Sequence, residues 1–511
     1  MLYPLFFAAV YLSHITLLRL PYFWDEAGYY IPAAWDFFRT GSLIPQTTLT
    51  NAHPPLPSIL LASWWHLSGF VASGTRTLIV MVTAAALVAV FRLARSLVNT
   101  PAAIATVVLT AIYPIWFAQS TLAHADIFAA AFTLWGLTLY LEQGSENQIV
   151  TSGLFSLAAL SKETAIVTPL ALACFEAWLF LRKQQNSSQR RAHALWIASL
   201  LSPLIPLVAW YAYHRHMTGF IFGNPEYLRY NATANLDAKR IVLSLWHRFL
   251  HLFTHMNMYV PVACAMAAFF IPVRKDDTFS IPQRALTAIA VVLATNWIAF
   301  SVLGGALLTR YLLPMYPLIL MVCVAIWQQH LRQWWALALL SAVGFLAGIW
   351  INPPYAFAPE DNLTYRDVVV LHQQAISVIA HSFPQATVLT AWPASAELSR
   401  PELGYTRRPF KVVPLQNFAI DAIQQAAQNP DTYDTALLFS TKWEPPQGTL
   451  NLGRANQKSD TKYFDFHHDL SPEEAAALLH GDIVWQARRK GEWAAVLRFP
   501  RIVSASLAPV P

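Results

Sequence analysis

Charged side chains are scarce in this chain. Asp, Glu, Lys and Arg make up 12% of its 511 residues, where an ordinary soluble protein carries about a quarter. So little charge cannot wet a whole surface, which excludes a conventional soluble globule. Cysteine is nearly absent as well. The three present, Cys174, Cys264 and Cys323, all fall inside apolar runs, so neither a disulfide framework nor a thiolate metal site is encoded. Nucleotide signatures are missing too. No GxxxxGK[ST] occurs, and no GxGxxG follows a strand-like run, which argues against an ATP-driven pump or a nucleotide-sugar Rossmann enzyme.

What is present is apolar: 56% of the residues are hydrophobic. Runs near the ~20 residues needed to cross a ~30 Å hydrocarbon layer recur through the first 350 positions. They fall at about 2–20, 75–93, 101–118, 126–142, 149–161, 164–181, 194–213, 257–273, 285–303, 311–328 and 334–351. A further piece at about 55–72 is interrupted by Pro54, Pro55 and Pro57 and reads as an interfacial or re-entrant helix. The sequence therefore predicts a polytopic, mainly helical membrane protein with about eleven crossings. The first run lacks a basic start and a small-residue cleavage site, so it is expected to remain as a helix.

The formal charge of +6 does not point to nucleic acid. Arg92, Arg95, Arg182, Lys183, Arg190, Arg191, Arg274, Lys275 and Arg284 sit in short loops between apolar runs. That is the bias of cytoplasmic loops. It sends the segments 21–74, 119–125, 214–256 and 304–310, and the chain from about 352, to the outer side. The first outer loop is rich in Tyr and Trp, which favour the headgroup level. The segment 214–256, with Gly219, Gly223 and Pro225, reads equally as a cover over a site or a connector. Sequons at Asn231-Ala232-Thr233 and Asn362-Leu363-Thr364 are of the kind that arise by chance.

From Asn352 the composition turns soluble. Helix-like stretches (Thr364–Ser382, Phe418–Ala427) alternate with strand-like ones (Ala386–Ala391, Thr435–Ser440, Ile483–Ala487, Ala494–Phe499). Ser471-Pro472-Glu473-Glu474 reads as a capping box with Pro at the first helical position, and Lys490-Gly491 as a hairpin turn. A membrane domain over 1–351 and a small extracytoplasmic α/β domain over 352–511 are expected.

Polar residues that could carry chemistry gather at the outer ends of the runs. Asp25-Glu26 lies among Trp24, Tyr29 and Tyr30, where a falling dielectric raises carboxylate proton affinity, although Asp25 could simply cap an interfacial helix. His53 precedes Pro54-Pro55, as a presented polar group or a plain loop residue. Asp126 opens a helix after His124 and invites the capping reading. Lys162-Glu163 is a costly charge pair at a helix junction or a self-satisfied one. Arg310-Tyr311 ends a span, suited to bidentate phosphate binding or merely snorkelling. His247, His251 and His255 share a helix face with Trp246, Phe249 and Phe253, which reads better as an interfacial face than as a zinc site.

Taken together, Asp25-Glu26-Ala27 with Tyr29-Tyr30, His53-Pro54-Pro55-Leu56, Ala123-His124-Ala125-Asp126, Ser161-Lys162-Glu163-Thr164 and Arg310-Tyr311-Leu312-Leu313-Pro314 resemble the GT-C superfamily of membrane glycosyltransferases. The resemblance is to the branch of protein O-mannosyltransferases and the lipid A aminoarabinose transferase, and it covers about residues 1–350. It implies a GT-C-like fold and inverting transfer of a hexosyl or pentosyl group from a polyprenyl-phosphate-linked donor to a lipid, protein or glycan acceptor. It implies Asp25 as the base toward the acceptor, Glu26, Tyr29, Tyr30, His53 and Asp126 around the sugar, and Lys162, Arg310 and Tyr311 at the donor phosphate. Metal use varies within the superfamily, so no cofactor is required and a divalent metal stays open. A bacterial inner membrane, with the site on the periplasmic side, is the expected setting. A transporter is the rival class, but it would show charges near the bilayer midplane and internal repeats. A polysaccharide polymerase or ligase would share the donor and move longer glycans.

Overall fold

Prolines and turns cut the apolar runs into helices, and where they cut decides which polar residues are left at helix ends. The computed structural model describes residues 2–142, 147–182, 186–222, 237–274, 281–303, 307–446, 448–452, 457–464 and 467–499. The chain forms two compact units, one of residues 1–19, 29–353 and 360–363, the other of residues 20–28, 354–359 and 364–511. The division is thus not made at a single chain position.

The first unit is helical. It contains α1 (Leu2–Ser13), α2 (Ile31–Thr40), α3 (Leu56–Ser68), α4 (Ala72–Leu97), α5 (Thr100–Ile112), α6 (Pro114–Gln119), α7 (Ala125–Leu141) and α8 (Gln148–Ser161). After these come α9 (Val167–Phe180), α10 (Ser187–Leu201), α11 (Leu204–Thr218), α12 (Ala238–Phe253), α13 (Tyr259–Phe269), α14 (Gln283–Val302), α15 (Met315–His330) and α16 (Trp334–Trp350). Pro114 splits the run at 101–118, because the residue before a proline is pushed out of helical geometry and Tyr113 is extended at φ −62, ψ 125. At Ser202 and Pro203 the backbone keeps helical angles, so α10 runs on into α11 as one 32-residue apolar stretch. Helix α12 and helix α13 meet at a 98° bend, where Met256 and Asn257 have φ of 47 and 67, the left-handed region rarely taken by side-chain-bearing residues.

Each apolar run read from the sequence coincides with one or two of these helices. Among the described residues, four helices are long and apolar enough to cross a membrane, or five if the bent pair is one span. The Gly223 and Pro225 part of the segment read as a cover, and the Asn231 triplet, lie outside the described residues. Asn362 is buried, donating to the carbonyl of Gly348 at 3.2 Å and to Asn352 at 3.0 Å, so its triplet is not a glycan acceptor in this fold.

Helix α7 packs against α4 and α8, and α9 against α10 and α14. The far end of α7 is closed by a polar clasp. Fully buried Glu176 on α9 receives Tyr140 Oη from α7 at 2.5 Å and Arg284 Nη2 from α14 at 2.7 Å. His193 Nδ1 from α10 lies 2.5 Å away. One carboxylate thus ties four helices, with its charge compensated as burial demands.

The second unit carries a five-stranded sheet in the order β2-β1-β3-β5-β4, with β1 (Thr387–Ala391), β2 (Lys411–Leu415), β3 (Thr435–Phe439), β4 (Asp482–Arg489) and β5 (Glu492–Arg498). Strands β2, β1 and β3 are parallel, and β5 and β4 join antiparallel. Lys490 and Gly491 form the β4–β5 turn with φ of 48 and 97, as a two-residue hairpin requires. Helices α17 (Thr364–Ser382), α18 (Ala394–Ser399), α19 (Ile420–Ala427), α20 (Gln457–Phe464) and α21 (Pro472–Leu479) complete it. At the start of α21 the Ser471 capping box forms as its sequence predicts. The core is Leu371, Ile376, Val388, Leu437, Phe439 and Val496 with their neighbours.

Glu492, fully buried at the start of β5, accepts from the Ser440 hydroxyl. Burial pushes its carboxyl up to about 8; the Ser440 bond offsets part of that, and nearby Asp367, Asp469 and Glu444 add to it. In the unfolded chain the group returns toward 4.5. Between those two values the folded protein holds a proton that the unfolded chain has released, so stability falls as pH rises, by up to about 1.4 kcal/mol per pH unit. Thermal unfolding of this unit is expected to move to lower temperature from pH 5 to pH 8, and Glu492→Gln is expected to flatten that trend. An unchanged slope in the variant would assign the trend to other groups.

Candidate active site

Helix α7 starts at Ala125, which places Asp126 in its first turn, near the positive end of the helix dipole. Its N-cap residue, His124, makes no side-chain cap bond, and Asp126 does not act as a cap. It is buried instead against two cations, Lys162 Nζ at 2.5 Å and Arg310 Nε at 3.2 Å. Arg310 uses Nη1 to reach a second buried carboxylate, Glu360. Three motifs separated by up to 184 positions, plus a residue just past α16, converge here.

Lys162 occupies the junction between α8 and a 3-10 turn, with an extended backbone at φ −151, ψ 124. Its ammonium lies 3.7 Å from the Tyr311 ring centroid, within cation–π range. Burial holds that ammonium below its usual range; Asp126 opposes the effect and Arg310 reinforces it. Arg248 of α12 joins from the other side, fully buried, its guanidinium 5.6 Å from Tyr311 and donating to the carbonyl of Leu308 at 2.6 Å. Arg76 at the start of α4 is buried too and donates to the carbonyl of Thr121 at 2.6 Å. His124 bonds Gln119 Oε1 through Nδ1 at 2.9 Å. Burial, then the charges of Arg310, Lys162 and Arg76, hold it well below the usual histidine range, so it is neutral at physiological pH.

A second group adjoins the first. The turn at Asn51-Ala52-His53 is fixed by the His53 N–H donating to Asn51 Oδ1 at 2.9 Å and by Trp210 donating to the carbonyl of Ala52 at 3.0 Å. It presents His53 Nδ1 to Glu163 Oε2 at 2.8 Å. Tyr30 lies parallel to the His53 ring at 6.3 Å and 5.8 Å from the His124 ring, and Tyr29 stands edge-on to His53 at 6.2 Å. Burial pushes the Tyr29 phenol far above its ordinary range, so it stays a neutral donor. Tyr29, Tyr30, His53, Pro54 and Pro57 line a narrow pocket. Lys162 and Glu163 thus direct their hydrogen bonds elsewhere, one to Asp126 and the other to His53, while each still feels the other's charge.

Asp25 and Glu26 lie on the segment 20–28, which belongs to the second unit. Trp24 has φ 47 and its ring meets Trp392 edge-on at 5.4 Å. Phe23 packs on Tyr365 at 5.7 Å, and the Tyr405 hydroxyl donates to the carbonyl of Tyr22 at 2.9 Å. A Cβ on Gly28 would fall 2.2 Å from Trp392 Nε1, so only glycine fits there. Glu26, fully buried, accepts the Phe23 N–H at 2.8 Å and fixes the turn that carries half-buried Asp25. A π-helical turn, Glu26–Tyr30, follows, a geometry frequent at functional sites. Helix α2 continues directly from this turn, with Tyr30 already helical at φ −64, ψ −43, so Asp25 stands at the start of one continuous helical stretch.

Among the described residues no group of three His, Cys, Asp or Glu is placed to hold a metal. His255 bonds Asp361 at 2.9 Å. Four contributors escape the sequence reading: Glu360, Arg76, Arg248 and the pairing of Glu163 with His53. Glu360 carries no local signal, and an arginine at a helix end reads as a snorkelling one.

Residues 52–210 match the family model described as dolichyl-phosphate-mannose-protein mannosyltransferase. The chain is similar in structure to ArnT from Cupriavidus metallidurans bound to undecaprenyl phosphate, with a TM-score of 0.58 and 13% identity over 96% of this chain and 97% of that one. The same enzyme in the apo state gives 0.57 and 12% over 96% and 97%. The archaeal oligosaccharyltransferase AglB from Archaeoglobus fulgidus, in complex with an inhibitory peptide and a dolichol-phosphate, is less similar, at 0.47 and 11% over 85% and 69%. No curated protein matches by sequence. The fold is thus similar to that of ArnT over nearly the whole of both chains, while the family match is confined to residues 52–210. That matched segment holds His53, Asp126, Lys162 and Glu163, and so most of the polar cluster.

Proposed function

We propose that this chain moves one sugar, a hexosyl or pentosyl group, from a polyprenyl-phosphate carrier to a lipid, protein or glycan acceptor at the extracytoplasmic face of a bacterial inner membrane, with inversion. The observation that carries the reading is the convergence of Lys162 and Arg310 on Asp126 beside Tyr311. Buried cations held at fixed positions are what a departing phosphate needs, since preorganised charge acts without reorganisation during the reaction. Asp126 and Glu360 aim these cations and limit their mutual repulsion. Tyr29, Tyr30 and His53 offer ring faces and polar tips of the kind that shape a sugar pocket. Glu26 holds the turn from which Asp25 takes the acceptor proton. That a structure of similar fold is bound to undecaprenyl phosphate supports a lipid-phosphate donor here.

The test uses the full chain in lipid nanodiscs with a polyprenyl-phosphate-linked monosaccharide and membrane extract as acceptor source. Release of polyprenyl phosphate together with a glycosylated product is expected. Release of nothing from any monosaccharide carrier, or transfer of preassembled long glycans alone, would contradict the reading. Lys162→Ala is expected to lower the polyprenyl phosphate retained on purification at least tenfold; equal retention would remove Lys162 from the phosphate site.

A further inference from the structure

Helix α17 and strand β4 enclose an open groove of about 590 Å³ in the second unit. Its helix side is Val370, Gln373, Gln374, Ser377 and Val378, whose spacing puts them on one face of α17 over about 12 Å of its length. Its strand side, Trp485 and Ala487, is built by a β-bulge. Ile483 pairs with Leu497 but Trp485 pairs with Val496, so Val484 is extra. Paired residues share a face of the sheet, while the consecutive Val496 and Leu497 take opposite faces. Ile483 and Trp485 would otherwise lie on one face, and the bulge parts them. It turns Trp485 and Ala487 to the side covered by α17, the side on which Arg489 reaches Asp367 of that helix at 3.4 Å. Bulges re-aim side chains in this manner beside functional sites.

None of the lining side chains is charged. Trp485 is half-buried and packs against the core of the unit, which holds its ring as a fixed apolar plate. Among the described residues, neither its indole N–H nor the amide of Gln373 or Gln374 bonds another protein group. One donor and two amides that both donate and accept thus stay open to a ligand. The Ser377 hydroxyl lies 3.4 Å from His381 Nδ1. A sugar ring offers the matching chemistry, an apolar C–H face and a rim of hydroxyls that donate and accept. An acyl chain would leave the amides unmatched, and an anion would meet no cation in the lining. We propose that this groove binds a neutral stretch of saccharide, the part of a glycan acceptor remote from the reacting hydroxyl. The saccharide class follows from the lining; the acceptor role rests on the reaction proposed above. The unit that holds the groove also holds Asp25, the base toward the acceptor in that reaction.

The experiment is saturation-transfer NMR on the full chain in nanodiscs. The probes are neutral oligosaccharides of glucose, galactose, mannose and N-acetylglucosamine, with a mixed tripeptide library as the contrasting class. At least one oligosaccharide is expected to bind, and Trp485→Ala to weaken it about tenfold, the loss of an aromatic contact. Trp485→Phe keeps the ring plate and should retain more of the binding. The double change Gln373→Leu with Gln374→Leu should weaken it about tenfold as well, through lost hydrogen bonds. It leaves the sheet untouched and so serves should Trp485→Ala fail to fold. With an oligosaccharide as acceptor, Trp485→Ala should raise KM about tenfold, whereas Asp25→Asn acts on kcat. No saccharide signal, a saccharide signal indifferent to these variants, or a signal from the peptides alone overturns the proposal. Saccharide binding that depends on Trp485, in a chain that cleaves no polyprenyl-phosphate-linked donor, keeps the saccharide site and overturns its acceptor role together with the reaction, so the two failures are told apart.

Discussion

Asp25→Asn is expected to lower kcat for sugar transfer by about 10²–10⁴-fold, the usual contribution of a positioned general base, while the protein inserts and unfolds as the wild type does. The substitution keeps size and shape and removes only the ability to take a proton at neutral pH. The turn itself is fixed by Glu26 accepting the Phe23 N–H at 2.8 Å and by Trp24 against Trp392, and asparagine can keep polar contacts that aspartate makes there. Steady-state transfer and a thermal unfolding curve on the same preparation check both halves. Turnover within threefold of wild type in a properly inserted variant would refute the base assignment. Glu26→Ala separates the two acids: it should act through stability first, losing a capping-type bond worth about 1 kcal/mol.

Arg310→Leu is expected to be the most destabilising single change in the first unit, at about 3–5 kcal/mol, because it leaves the Glu360 carboxylate buried without this cation and strips Asp126 of one of its two. Glu360 and Arg310 are 3% and 2% exposed, so solvent does little to rescue either. Arg310→Lys should recover only part of the loss, since a compact ammonium cannot bridge two carboxylates with separate nitrogens. The double change Arg310→Leu with Glu360→Leu should cost less than the sum of the single ones, as removing both partners removes the stranded charge. Donor lipid retention should be lost in all of these variants. Recovery of stability without recovery of lipid would separate the two roles of Arg310; additive losses in the double variant would show that the two side chains are not coupled.

Much of this architecture can be read from the residues, and the exceptions have physical causes. Helix α17 occupies Thr364–Ser382 as its pattern predicts, and the Ser471 capping box and the Lys490-Gly491 turn fall where local chemistry puts them, because each depends on neighbours within a few residues. Strand β2, Lys411–Leu415, goes unread because Pro414 interrupts it. At the sheet edge, where β2 lies, a missing N–H costs little. The site residues are legible as types and as a set, yet their partners are not. Lys162 and Glu163 look like a pair along the chain. The extended backbone at Lys162 turns successive side chains to opposite sides, and each finds a partner from another helix or loop. Glu360 could not be found at all, since it follows the last apolar run in a stretch that reads as the start of a soluble domain.

The segment 20–28 groups with the C-terminal fold, so the immediate surroundings of Asp25 are written largely by residues after position 364: Trp392, Tyr365, Tyr405 and Leu403. A chain cut at residue 353 would keep α1 to α16 with Lys162 and Arg310, yet lose Glu360 from beside Arg310 and strip the aspartate loop of its scaffold. On the proposed role of Asp25, exchanging this domain is expected to change kcat before it changes acceptor choice.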